Sequence, residues 1–319
     1  MSDRRPSLLV LRALGLGDLL TALPALHALA EAFPDHRRLL AGPRALRGLV
    51  RLTDAVEDVV DTVGLVPVTI ATAPDVAVNL HGRGPRSHRV LLATRPRRLL
   101  AFHHPEIPAT VASPRWRADE HEVARWCRML VAHGIPADPS RLDLVPPRHP
   151  APAVARGATL LHPGAASEAR RWPTERWAAV GRAETTAGRV VVLTAGPGEV
   201  ALAHAVGRRA GLDPDVVLAG GGLVQLAATI AAASRVVVGD TGVAHLATAL
   251  GTQSVVLFGP TSPAAWGPPP ERRRHRALWA GRHGDPHGTT VDPGLLAITV
   301  DDVLEALDAL EHEPIEAIP

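Results

Sequence analysis

Three short stretches hold residue types that could bind a phosphorylated ligand and do transfer chemistry at a hydroxyl. The first is Leu14-Gly15-Leu16-Gly17-Asp18, directly behind an apolar run. Glycines there shape a tight strand-to-helix turn. An acid at the helix entrance can cap the helix, or it can serve as a base toward a hydroxyl. The third glycine of a dinucleotide fingerprint is missing, and a carboxylate at that point would repel a pyrophosphate from the positive helix end. Both readings of Asp18 stay open.

The strongest local signal is VVVGDTGVAHLATAL, residues Val236–Leu250. A buried strand ends at Gly239 and a helix begins at Asp240–Gly242. The amides of Thr241, Gly242 and Val243 would then be free for phosphate oxygens. Gly242 permits close approach of a ligand, and His245, one turn on, can donate to the same anion. Asp240 can accept from sugar hydroxyls. The rival reading is an ordinary capped crossover with an incidental histidine; four polar groups at one strand end argue against it. The third stretch, LLHPGAASEARRWPTERW, sets Arg170 and Arg171 behind a strand ending at His162-Pro163-Gly164. Two guanidinium groups could clamp a diphosphate, because their fork matches phosphate geometry and keeps its charge. A solvated charged loop is the alternative.

No stretch offers a convincing metal site. Asp213-Pro214-Asp215 precedes a strand, where such acids usually make a turn. His283, Asp285 and His287 lie in a Gly/Pro loop without a further ligand, and His103-His104 is weaker still. There is no Gly-x-Ser-x-Gly elbow and no Walker loop. We therefore expect no metal and no cofactor.

Alternating strand-like and helix-like segments must position these loops. Leu8–Arg12, Asp75–Leu80, Ala158–His162, Val190–Thr194, Val216–Leu218, Arg235–Val238 and Ser254–Phe258 are short, Val/Leu-rich and bounded by Gly or Pro, as buried parallel strands are. Leu19, Leu23, Leu26, Ala30 and Phe33 share one helical face, with Pro24 near the first turns or at a kink. Leu223, Leu226, Ile230 and Ala233 share another. Thr299 caps a closing helix. A proline-rich seam at Leu144–Gly157 divides the chain into an N-terminal domain, residues 1–148, and a C-terminal domain, residues 149–319. The expected fold is α/β: two Rossmann-like domains with parallel sheets facing across a cleft, the last helix packing back on the first domain.

Composition narrows the function. All 34 basic residues of the 319 are Arg, balanced by 32 acids for a formal charge of +2, and aromatic residues are 3%. That balance argues against a nucleic-acid partner. The single Cys127 excludes a disulfide framework and reads as a packed thiol. Arg4 and Arg5 before an apolar run mimic a signal peptide, but Arg12 breaks the run and no cleavage site follows. No stretch reads as membrane-spanning, so a cytoplasmic location is expected.

With these loops in place, the sequence resembles glycosyltransferase family 9, the lipopolysaccharide heptosyltransferases, over nearly its whole length. LVLRALGLGDLLTALPALHALAEAFP resembles the family's first loop and helix, and HEVARWCRMLVAHGIP its mid-chain helix. HPGA with RRWPTERW resembles its donor loop, and GDTGVAHLATALGTQSVVLFGPTSP its most diagnostic block. The resemblance implies a two-domain GT-B fold and metal-independent, inverting transfer, usually from ADP-heptose. It casts Asp18 as catalytic base and Arg170 in place of a diphosphate-binding Lys. Gly17, Gly164, Arg171, Asp240, Thr241, Gly242 and His245 fall on the donor side, with Glu199 near an acid that reaches the ribose. Ala165 and Ala166 depart from hydroxyl-bearing residues, with Ser167 in reach to compensate. The late loop GRHGDPHGTTVDPG lacks the family's cysteines.

The implied co-substrate is a nucleotide-diphosphate sugar, and the acceptor a glycan or small molecule. The densest arginine cluster of the first half, within His81–His104, puts Arg83 and Arg86 forward as grips for an anionic acceptor; solvated surface charge is the alternative. A non-catalytic sugar-nucleotide-binding relative and a Rossmann oxidoreductase remain as alternatives.

Overall fold

The computed structural model describes residues 5–312. Arg4 and the tail beyond residue 312 lie outside the described residues. The chain forms two compact units, Met1–Leu142 and Asp143–Pro319. The division falls ahead of the proline-rich seam. Leu142 packs with Val123 and Cys127 in the first unit. Asp143 instead pairs with Arg272 at 2.7 Å, and the Leu144 N–H donates to the Ala249 carbonyl, both within the second.

The first unit is a five-stranded parallel sheet ordered β3-β2-β1-β4-β5. Its strands are β1 (Ser7–Leu11), β2 (Arg37–Gly42), β3 (Asp58–Asp61), β4 (Val76–Asn79) and β5 (Arg98–Leu100). Leu8–Leu11 are wholly buried, which is why this strand reads as an unbroken apolar run. Pro24 resolves the opening helix into two, Leu16–Thr21 and Leu23–Ala32, and lies at the start of the second, where its missing N–H costs nothing.

The second unit is a six-stranded parallel sheet ordered β11-β10-β9-β6-β7-β8. Its strands are β6 (Thr159–His162), β7 (Val191–Ala195), β8 (Val217–Ala219), β9 (Arg235–Gly239), β10 (Gln253–Phe258) and β11 (His275–Trp279). The expected strands are all present. β2, β3, β5 and β11 were not legible, because they lie at or next to sheet edges and carry Arg, Asp or His.

The closing helix, Val300–Glu311, starts at Thr299, whose hydroxyl accepts from the Asp302 N–H at 3.1 Å. Val303, Leu307 and Leu310 are buried in the core of the second unit, so its apolar face is already covered there. Among the described residues no helix is long and apolar enough to cross a membrane.

Candidate functional site

In an open parallel sheet, ligands bind beyond the carboxyl ends of the strands where the strand order reverses. In the first unit that point lies between β1 and β4, and in the second between β6 and β9. The loops behind these four strands carry Asp18, His81, Arg170 and Asp240. The two switch points thus coincide with Asp18, Arg170 and Asp240, which type and spacing singled out, and add His81, which they did not.

In the first unit, Gly15 is the N-cap of helix Leu16–Thr21, and Gly17 lies inside its first turn rather than in the loop. Asp18 is the third helical residue. Its Oδ2 accepts from the Gly15 N–H at 3.2 Å, so it does cap the helix, though from inside. A helix entrance by itself would lower the carboxyl's proton affinity. The structure reverses that expectation. Burial pushes Asp18 above its ordinary value, outweighing the Arg12 guanidinium, and the nearby Glu122 carboxylate adds to the rise. Asp18 is therefore a cap whose carboxyl holds its proton more tightly than an ordinary aspartate.

Arg12 and Glu122 had no assigned role in the sequence reading. Arg12 is 1% exposed, and its guanidinium reaches Asp18 Oδ1 at 3.4 Å, Thr21 Oγ1 at 3.1 Å and Glu122 Oε1 at 3.0 Å. The signal was present: an arginine closing an apolar strand must find partners inside. At the end of β4, His81 Nδ1 accepts from the Ala13 N–H at 3.2 Å, and burial together with Arg12 lowers its pKa.

The structure sorts the arginine cluster. Arg89 pairs with Glu106, Arg97 pairs with Asp75, and Arg98 donates to the His133 carbonyl. Arg83 and Arg86 are exposed and make no ion pair among the described residues.

In the second unit, Arg170 is half-buried and donates to the Asp240 carbonyl at 3.0 Å and to Ser167 Oγ at 3.4 Å. It forms no ion pair among the described residues. Arg171 differs. It is tied to the Ala165 carbonyl at 2.9 Å and ion-paired with Glu168, so its charge is already answered. Gly239 lets the Arg170 backbone come close, since an added Cβ would lie 3.3 Å from the Arg170 carbonyl oxygen.

Asp240 is buried, which raises its pKa against the lowering effects of Arg170 and a hydrogen bond from Thr261. Thr241 caps helix Gly242–Leu250 and its Oγ1 accepts from Val243 N–H at 3.3 Å. Val243 is thus not one of the free amides expected; those of Thr241 and Gly242 remain. His245 lies one turn on, its ring 6.0 Å from that of Trp266.

Gly164 and Glu199 form one assembly. A Cβ on Gly164 would lie 2.2 Å from the Glu199 carboxylate, so only glycine admits that side chain. Glu199 Oε2 accepts from the Gly196 N–H at 2.8 Å and lies 3.7 Å from His162 Nε2. The hydroxyl of Ser167 donates to the Pro286 carbonyl at 2.6 Å. The late loop holds the donor loop further through Ala169 N–H to the Gly288 carbonyl. Asp213 makes a turn by accepting from the Asp215 N–H, and no metal-ligating cluster occurs among the described residues. Cys127 is packed, and burial pushes its thiol up to about 12.

Comparison with known proteins places this geometry. The model of a family described as glycosyltransferase family 9 (heptosyltransferase) matches residues 99–287. A glycosyl transferase family 9 structure from Veillonella parvula superposes with TM-score 0.76 at 18% identity, covering 97% of this chain and 98% of that one. The E. coli ADP-heptose lps heptosyltransferase II gives 0.74 at 21% identity, covering 95% and 98%. The E. coli heptosyltransferase WaaC with ADP gives 0.69 at 17%, covering 95% and 99%. At such identities the likeness establishes the fold, the GT-B type built of two parallel α/β units. No curated protein matches the sequence.

Proposed function

Because this chain belongs to glycosyltransferase family 9 and is a glycosyltransferase, we propose that it moves a heptose-like sugar from a nucleotide-diphosphate donor to a hydroxyl of a glycan or small-molecule acceptor. Transfer inverts the anomeric carbon and uses no metal ion. The observation that carries this reading is Arg170. Its guanidinium makes no ion pair among the described residues and donates to the Asp240 carbonyl at 3.0 Å, beside the Thr241 and Gly242 amides.

In the proposed reaction Asp18 takes the proton of the acceptor hydroxyl. The acceptor oxygen bonds to the anomeric carbon on the face opposite the leaving group. The bond from that carbon to the diphosphate oxygen breaks, and its electron pair leaves with the diphosphate. Charge developing there meets Arg170 and the two helix-start amides, donors already fixed before the reaction begins. Glu199 would accept from the ribose, and Arg83 and Arg86 would hold an anionic acceptor. A donor carrying ADP is favoured because heptosyltransferase relatives of the same fold are known with ADP.

Thermal-shift titration with ADP, GDP and UDP tests the donor. A nucleotide at about 100 times its dissociation constant adds roughly 2.7 kcal/mol of stability. Slow hydrolysis of ADP-heptose with and without EDTA tests the chemistry. We expect stabilisation by ADP and EDTA-indifferent hydrolysis. No stabilisation by any of the three, or turnover that demands a divalent cation, would overturn the proposal.

A further inference from the structure

Asp18 does not meet Arg12 alone. Arg12 stands at the centre of a line of alternating charge, Asp18–Arg12–Glu122–Arg125, in the interior of the first unit. Its guanidinium lies 3.4 Å from Asp18 Oδ1 and 3.0 Å from Glu122 Oε1. The side chains of Arg12 and Glu122 are 1% and 7% exposed, against 27% for Asp18. The inner carboxylate thus has the nearer and drier contact, and charge pairing strengthens as water is excluded.

Glu122 is itself fixed from three sides. Trp126 Nε1 donates to its Oε1 at 2.8 Å, Arg125 pairs with its Oε2, and Arg12 stacks 5.0 Å from the Trp126 ring centre. Arg125 is anchored by the Glu120 carbonyl at 2.7 Å and lies 4.3 Å from the Trp116 ring centre. Glu122 opens helix Glu122–Ala132, which in the sequence only resembles the family's mid-chain helix.

We propose that Glu122 is a positioning residue for sugar transfer: by drawing the Arg12 guanidinium onto its own carboxylate, it stops that cation from neutralising Asp18 and leaves Asp18 able to take a proton. The inference rests on Asp18 serving as the base. The groups facing Asp18 are Arg12 from the end of β1 and Glu122 from the mid-chain helix. Arg12 is faced in turn by His81 from the end of β4, and Glu122 by Arg125. With Glu122 neutral, Asp18 becomes the carboxylate left within reach of Arg12, and its charged form is favoured.

The test is Glu122→Gln, which keeps an acceptor for Trp126 and removes the charge. Two readouts are compared with wild type: the carbon-13 titration of the Asp18 carboxyl in the ligand-free protein, and the acid limb of ADP-heptose hydrolysis. Both should shift to lower pH, and the plateau rate should fall because a weaker base takes the proton. Trp126→Phe, which loosens the same packing without removing a charge, should leave both pH values in place. If Glu122→Gln fails to fold, Glu122→Asp carries the test. It draws the charge back by one methylene, so a smaller shift in the same direction is expected. An Asp18 titration identical to wild type in the folded variant would overturn the inference. Asp18→Asn separates the two ideas: undiminished hydrolysis in that variant would remove the base assignment, while the carbon-13 titration of Asp18 in Glu122→Gln would still report the coupling.

Discussion

Gly164→Ala is the sharpest probe of the donor side. The added methyl would lie 2.2 Å from the Glu199 carboxylate and 2.5 Å from its Oε1, so Glu199 must swing away. That motion is cheap for the fold, because the atoms displaced are the far end of a flexible side chain. The cost is the bond from the Gly196 N–H to the carboxylate, 2.8 Å long and worth about 1.5–3 kcal/mol. Alanine also lowers the freedom of the unfolded chain, a gain of about 0.4–1 kcal/mol where glycine holds no left-handed backbone. The gain offsets only part of the loss, and the melting temperature should fall by several degrees without collapsing. Binding should respond differently. If Glu199 accepts from the ribose, losing a hydrogen bond to a charged group costs about 1.5–3 kcal/mol, roughly a tenfold to hundredfold weaker dissociation constant for ADP. Isothermal titration with ADP, beside thermal melts of Gly164→Ala and Glu199→Ala, reads both. The two variants should weaken ADP alike. Wild-type affinity in both would refute the ribose role, and a collapse in melting temperature of Gly164→Ala would refute the packing argument.

Arg170→Ala should slow transfer by roughly 10²–10³-fold, the cost of one fixed donor to the developing charge, whereas Arg171→Ala should cost much less because Glu168 already engages it; equal losses measured by steady-state kinetics would contradict the division. Asp18→Asn should lower turnover by roughly 10²–10⁴-fold with ADP affinity unchanged. Acid should destabilise the second unit through His275, which burial, with Arg272 and Arg274 behind it, lowers from 6.5 to about 3. The unfolded chain then binds the proton first as pH falls below 6.5, so stability drops on acidification, by about 2 kcal/mol at pH 5. Urea unfolding at pH 7 and pH 5 should show this loss shrinking in His275→Gln, and an equal loss in both proteins would count against it. Arg83→Ser with Arg86→Ser should raise the acceptor KM at low salt and leave ADP binding alone; unchanged acceptor kinetics would return these arginines to plain surface charge.

The sequence by itself determined the parts that depend on local patterning. Unbroken apolar runs such as Leu8–Leu11 and Val236–Val238 mark strands buried on both faces, and the glycine-rich turns behind them mark the strand ends where ligands bind. Thr299 as a cap and Cys127 as a packed thiol were legible for the same reason: a residue's neighbours in the chain fix most of its surroundings. Tertiary structure alone decided the electrostatics. Asp18 at a helix entrance reads as a weak base until burial, outweighing Arg12 and helped by Glu122 from more than a hundred residues away, raises its carboxyl. Arg170 and Arg171 are adjacent and chemically identical, yet one makes an ion pair with Glu168 and the other leans on the carbonyl of Asp240, 70 residues on. Burial and charge pairing depend on distance through space, and no local pattern carries that distance.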